Sequence, residues 1–106
     1  MVVARDGVRR REWGQELKRA GASVIGCSSR ECPLLGGRPC ALLASADLAV
    51  YDEETLNPAL FLALTRARPR PTILFARDHI ASGRHHAKFV RVLDHRGAAT
   101  IFPHLA

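Results

Sequence analysis

The segment Ala46-Asp47-Leu48-Ala49-Val50-Tyr51-Asp52 is a short, almost wholly apolar run that ends abruptly on a carboxylate. A run of this length between polar signals reads as a buried strand, and in open α/β sheets ligands gather at the carboxyl ends of such strands. Asp52 is therefore the first candidate for chemistry. An aspartate closing a strand also opens turns or caps the next helix, so its role depends on what the rest of the chain brings near it.

Strand and helix signals alternate on either side of this segment. Val2 to Ala4 reads as a strand, and Gly7 to Ala20 as a helix with Trp13, Leu17 and Ala20 on one face, closed by Gly21. Ala22 to Gly26 reads as a second strand, residues 28–39 as a polar connection, Ala41 to Ser45 as a short helical piece, and Ala46 to Tyr51 as the third strand. Asn57-Pro58 has the form of an N-cap followed by proline at the first helical position, with Leu60, Phe61, Leu64 and Ala67 as the buried stripe of a helix ending near Arg68. Pro71 to Ala76 is the fourth predicted strand. A polar loop through Asp78 and Ser82-Gly83 then leads to a predicted helix in which His86, Phe89, Val90 and Leu93 share a face, and Ala99 to Phe102 reads as the fifth strand. This alternation predicts one α/β domain over residues 1–106, a three-layer sandwich around a five-stranded parallel sheet.

With 47% apolar and 25% charged residues, the 106-residue chain can bury a single core. It has no run near the roughly 18 apolar residues needed to cross a bilayer, and Met1 to Asp6 lacks a signal-peptide layout, so a cytoplasmic protein with no membrane partner is expected. The net charge of +6 comes mostly from arginine, with Arg9, Arg10 and Arg11 in one cluster and Arg66, Arg68 and Arg70 in another. A basic surplus attracts nucleic acid and acidic partners, but no aromatics interleave with these arginines, and solvated surface is the expected role of both clusters. Nucleotide-binding glycine patterns and a nucleophile elbow are missing, which leaves a conventional enzyme the weaker hypothesis.

All three cysteines, Cys27, Cys32 and Cys40, fall within fourteen residues at C-x4-C-x7-C spacing. Their position after the second predicted strand sets them over the sheet edge that carries Asp6 and Asp52. Three readings stay open: inert thiols, a disulfide or redox switch, and a zinc or iron–sulfur site completed by His79, His85 or His86. The spacing matches no standard zinc knuckle. Adjacent His85 and His86 on a helix would point about 100° apart, which makes a surface pair the expected outcome.

Val2-Val3-Ala4-Arg5-Asp6-Gly7 followed by an amphipathic helix, the strand ending on Asp52, Pro71 to Arg77, and Gly97-Ala98 before a strand and Pro103 together resemble a response-regulator receiver domain. The resemblance implies a flavodoxin-like strand order 2-1-3-4-5, Asp52 as phosphoacceptor and Asp6 as an acidic ligand for magnesium. The chain departs from the pattern at Arg5, where the family places an acid, at Phe75, where it places Thr or Ser, and at Phe102, where it places lysine. Neither Ser82 nor Lys88 lies at the strand end that phosphoryl chemistry requires. Arg5, Phe75 and Ser82 would thus line a degenerate pocket, with the Arg5 cation pairing with Asp52 in place of the metal.

A receiver also ends in a fifth helix, whereas this chain stops at Ala106, so one sheet face is expected to need a partner. A homodimer joined near Trp13 and residues 102–105 is the arrangement this implies. The functional expectation is an atypical receiver-like module for signalling by protein interaction, modulated by redox or metal through the cysteine loop. The alternative is a small Rossmann-like enzyme, or a metal- or iron–sulfur-binding protein, using Asp6, Asp52 and the thiols together.

Overall fold

A computed structural model describes residues 1–94 and the backbone of residues 99–101. The elements are β1 (Val2–Val3), α1 (Gly7–Arg19), β2 (Gly26–Cys27), a 3-10 turn (Pro33–Gly36), α2 (Ala41–Ser45), β3 (Leu48–Asp52), α3 (Pro58–Arg66), β4 (Thr72–Ala81), β5 (Arg84–Leu93) and β6 (Ala99–Ile101). They form an α/β fold around one six-stranded sheet, ordered β2-β1-β3-β4-β5-β6. The strands from β2 to β4 pair in parallel, while β4–β5 and β5–β6 pair antiparallel. The expected all-parallel sheet is therefore corrected to a mixed one. No helix among the described residues is long and apolar enough to cross a membrane.

Strand parity divides the core in two. Val3, Ala49, Tyr51, Ile73 and Phe75 point to one face, where they meet Leu34, Leu43, Leu60 and Leu64 from the 3-10 turn, α2 and α3. Val2, Val50 and Ala76 point to the other, where Trp13 of α1 covers them. Because successive side chains on a strand point to opposite faces, the near-continuous apolar runs of β3 and β4 follow directly from having helices on both sides.

Local signals fix the helix ends as the sequence suggests. Asp6 caps α1, Asn57 Oδ1 accepts the Leu60 N–H at 2.8 Å to cap α3, and Gly21 takes the left-handed conformation just past α1 with φ of +97°. Arg70, expected as solvated surface, is buried and donates through Nη1 to the carbonyls of Leu64 and Thr65 at the end of α3, and through Nη2 to the Asp94 carbonyl.

The largest departure lies at residues 84–93, a strand where a helix was expected. Ser82 and Gly83, with φ of +53° and +73°, form the two-residue turn of a β-hairpin. The misleading periodicity has a physical origin. Opposite Phe75 and Ala76, whose partners are Arg91 and Phe89, β5 carries one extra residue, Val90. This bulge inverts the alternation of the strand. Ala87 and Phe89 therefore pack on the Trp13 side, while Val90 and Leu93 pack on the Leu60 side. His86 with the apolar residues at 89, 90 and 93 thus imitates a helical face in a strand that changes face halfway. The last strand among the described residues is accordingly the sixth and antiparallel; residues 97–98 and 102–105, part of the receiver-like pattern, lie outside the described residues.

The hairpin also changes the role of α1. The N–H groups of His85 and Ala87 point away from β4 and are accepted by the carboxylates of Glu12 (2.9 Å) and Glu16 (3.4 Å). The helix closes a strand edge that would otherwise invite pairing with another chain. Trp13, expected at a dimer interface, is fully buried beneath this hairpin, and its Nε1 donates to Asp78 Oδ1 at 3.2 Å. Trp13→Ala is expected to cost about 3–5 kcal/mol in urea denaturation, the usual range for deleting a buried aromatic.

Candidate functional site

The same parity that builds the core assembles a charged cluster. Asp52 ends β3 on the face of Val50, and Asp78 of β4 and His85 of β5 point to that face as well. On α1, Arg9 lies one turn before Trp13, on the side turned toward the sheet. Its Nη1 donates to Asp52 Oδ2 at 2.7 Å and Glu54 Oε2 at 2.9 Å, and its Nη2 lies 3.4 Å from Asp78 Oδ2. Asp78 Oδ2 in turn meets His85 Nδ1 at 2.5 Å. The Asp52 side chain is only 2% exposed and that of Arg9 11%. Burial disfavours the Arg9 charge, but the bonds to Asp52 and Glu54 and the nearby Asp78 outweigh it, so its pKa lies above the ordinary arginine value. Removing one member of such a buried pair leaves the other charge uncompensated.

The expected site residues separate. Asp52 lies at the heart of the cluster, at the same sheet edge as Asp6, whose carboxylate accepts the backbone N–H groups of Val8 and Arg9 as the helix cap. The bond from the Arg9 N–H is the main reason the Asp6 carboxyl titrates below its usual value. The cation at Asp52 is Arg9 and not Arg5, whose side chain is exposed and whose N–H is held by Thr55 Oγ1 at 3.0 Å. Phe75 is wholly buried against Tyr51 and Phe61 and lines no pocket around Asp52. Ser82 is exposed at the tip of the hairpin.

The magnesium that the receiver resemblance implies does not fit these residues. A guanidinium already holds the Asp52 oxygen that a metal would take, and Asp6 is committed to the helix cap. Among the described residues, no group of three or more His, Cys, Asp or Glu is arranged to hold a metal ion.

Cys27, Cys32 and Cys40 are free thiols, half-buried against the core face that contains Tyr51. Tyr51 and Asp52 are neighbours on one strand and so face opposite ways. The thiols consequently lie across the sheet from the Asp52 cluster and do not share a site with it. Burial first, and then the charges of Cys32, Cys40 and Cys27, raise the Tyr51 phenol well above its ordinary pKa. Within the same loop, Ser29 takes φ of +64°, gives its N–H to Cys27 Sγ at 3.4 Å, and buries a hydroxyl with no partner among the described residues.

Arg9, Asp78 and His85 escape a reading by local pattern. Arg9 falls in a run of three arginines that looks solvated, and the available signal was its spacing of four residues from Trp13 on the buried face. Asp78 reads as a loop residue and His85 as one of a surface pair on a helix until the hairpin pairs their strands. Comparison with protein-family models, curated proteins and solved structures found no match.

Arg9→Ala is expected to lower stability by about 3–5 kcal/mol, as for other broken buried pairs, with Asp52→Asn in the same chain restoring part of the loss. A double-mutant cycle in urea measures the coupling. His86 Nδ1 lies 2.9 Å from Glu16 Oε1, and this bond is the main cause of a pKa above the ordinary 6.5, against the opposing effect of burial. Its contribution to stability is present below pH 6.5 and is lost as pH rises through the raised value. NMR titration should show His86 titrating above the ordinary value in the native protein and returning toward it in Glu16→Gln.

Proposed function

We propose that the protein is a receiver-like α/β interaction module in which an internal guanidinium holds the phosphoacceptor-position carboxylate. The observation that carries this reading is the 2.7 Å pair between Arg9 Nη1 and the buried Asp52 Oδ2. The positive charge that magnesium would bring in a working receiver is supplied here by the Arg9 guanidinium. The parallel unit β2-β1-β3-β4, with α1 on one face and α3 on the other, supports a flavodoxin-like layering for this half of the chain. In this reading the module signals by binding proteins, a second copy of itself included. Exposed Ile25, Leu42 and Leu48, at the sheet end opposite the charged cluster, supply apolar surface for such contacts.

The test is incubation with acetyl phosphate and magnesium, followed by intact-mass analysis. No phosphoryl-sized mass increase is expected. A stoichiometric increase that Asp52→Asn abolishes would sink the reading. Removing the guanidinium should expose the acidic cluster of Asp52, Glu54 and Asp78. Millimolar magnesium or manganese is therefore expected to raise the melting temperature of Arg9→Ala while leaving that of the unaltered protein unchanged. Equal shifts in both would show that Arg9 does not occupy the cation's place. Light scattering checks self-association: a dimer that dissociates on Leu48→Lys supports this part of the reading, and a monomer at tens of micromolar removes it.

A further inference from the structure

Around the corner from the Asp52 cluster, on the α3 side of the same sheet edge, lies a cleft of about 590 Å³ whose walls include Leu56, Pro58, Phe61 and Val90 together with Glu53, Arg77 and Arg91. A cavity of this size matches a small organic ligand. Its polar groups form a triad. Glu53 Oε1 accepts from Arg91 Nε at 3.1 Å and Glu53 Oε2 accepts from Arg77 Nε at 2.9 Å. A single carboxylate thus positions two guanidinium groups through their Nε atoms and neutralises only one of them. The Nη atoms of both arginines are unbonded among the described residues, which leaves donors and a surplus of positive charge beside an apolar wall.

Arg91 is held in place for this role. The bulge at Val90 turns Arg91 from the Trp13 side of the sheet to the α3 side, and bulges of this kind commonly re-aim a side chain beside a site. Its guanidinium carbon then lies 5.0 Å from the centre of the Phe75 ring and 5.4 Å from that of Phe61. Stacking on two rings together with a carboxylate bond fixes the planar group at little further entropic cost. The α3 N-terminus contributes only wall, since Asn57 already caps it.

We propose that this cleft binds a singly charged organic anion, a carboxylate on an aromatic or aliphatic body, with its charge between Arg77 and Arg91 and its body against Phe61, Leu56 and Val90. A dianion suits the site less well, because Glu53 cancels half of the available charge and would repel the second negative charge. The proposal is independent of the Arg9–Asp52 reading, which concerns the other face of the sheet.

The test is an NMR titration of the full chain with 4-phenylbutyrate, and separately with 4-phenylbutan-1-ol, acetate and phenyl phosphate. Saturable shifts centred on Phe61, Val90 and Arg91 are expected for 4-phenylbutyrate. Affinity should be about tenfold lower for the alcohol and for acetate, as expected when a charge-assisted contact or the apolar body is lost. Arg77→Gln alters an exposed side chain and should fold normally while weakening phenylbutyrate binding severalfold, with Lys18→Gln on the far end of α1 unchanged. The proposal is overturned if the alcohol binds as tightly as the acid, if shifts map outside the cleft, if Arg77→Gln binds like the unaltered protein, or if no saturable binding occurs. Equal or tighter binding of phenyl phosphate would overturn the assignment of a single charge.

Discussion

A guanidinium among three carboxylates ties this structure together. Asp52 ends a strand with its side chain almost wholly removed from water, and a buried carboxylate is tolerable only when its charge is met. Arg9 meets it from the first helix, and through the same guanidinium reaches Asp78 on the next strand. The position of α1 on the sheet is thereby specified by charge as well as by the Trp13 contact. Such a network contributes less to net stability than an equivalent apolar contact would. What it supplies is registry, since a helix rotated by one residue would leave the Asp52 carboxylate without its countercharge.

The bulge at Val90 has comparably wide consequences. It allows one long strand to serve both cores, with Phe89 beneath α1 and Leu93 beneath α3. It also carries Arg91 across the sheet to stack on Phe61 and Phe75. Both functional proposals depend on this hairpin, the first because Asp78 is on its leading strand and the second because Arg91 is on its returning one. The outward N–H groups of His85 and Ala87 are accepted by Glu12 and Glu16, so this edge of the hairpin is held against α1.

The pleat keeps the two kinds of chemistry apart. The acidic cluster and the thiols come from neighbouring stretches of chain and lie near the same end of the sheet, yet Tyr51 and Asp52 send them to opposite faces. A mechanism that joins a thiol to Asp52 therefore has no support in the geometry. The cysteine loop is instead organised around the Tyr51 phenol, where burial and nearby sulfur both disfavour the phenolate.

The sequence by itself determined the elements whose signals are local. Asn57-Pro58 starts a helix and Gly21 ends one because capping groups and backbone freedom act within a single turn, and the apolar run ending on Asp52 makes a buried strand in any fold with helices on both faces. The parallel pairing of the strands from β2 to β4 followed from the alternation of strand and helix signals. Tertiary structure alone decided that residues 84–93 form a strand, since the bulge gives them the apolar spacing of a helix and only pairing with β4 separates the two. It also decided which arginine meets Asp52. Helical spacing sets Arg9 on the face of Trp13, but only the packing of that face on the sheet brings it to Asp52, whereas Arg5 is left at the surface before the helix begins. Ion pairs between residues some forty positions apart carry no local signature, because their partners are chosen by packing.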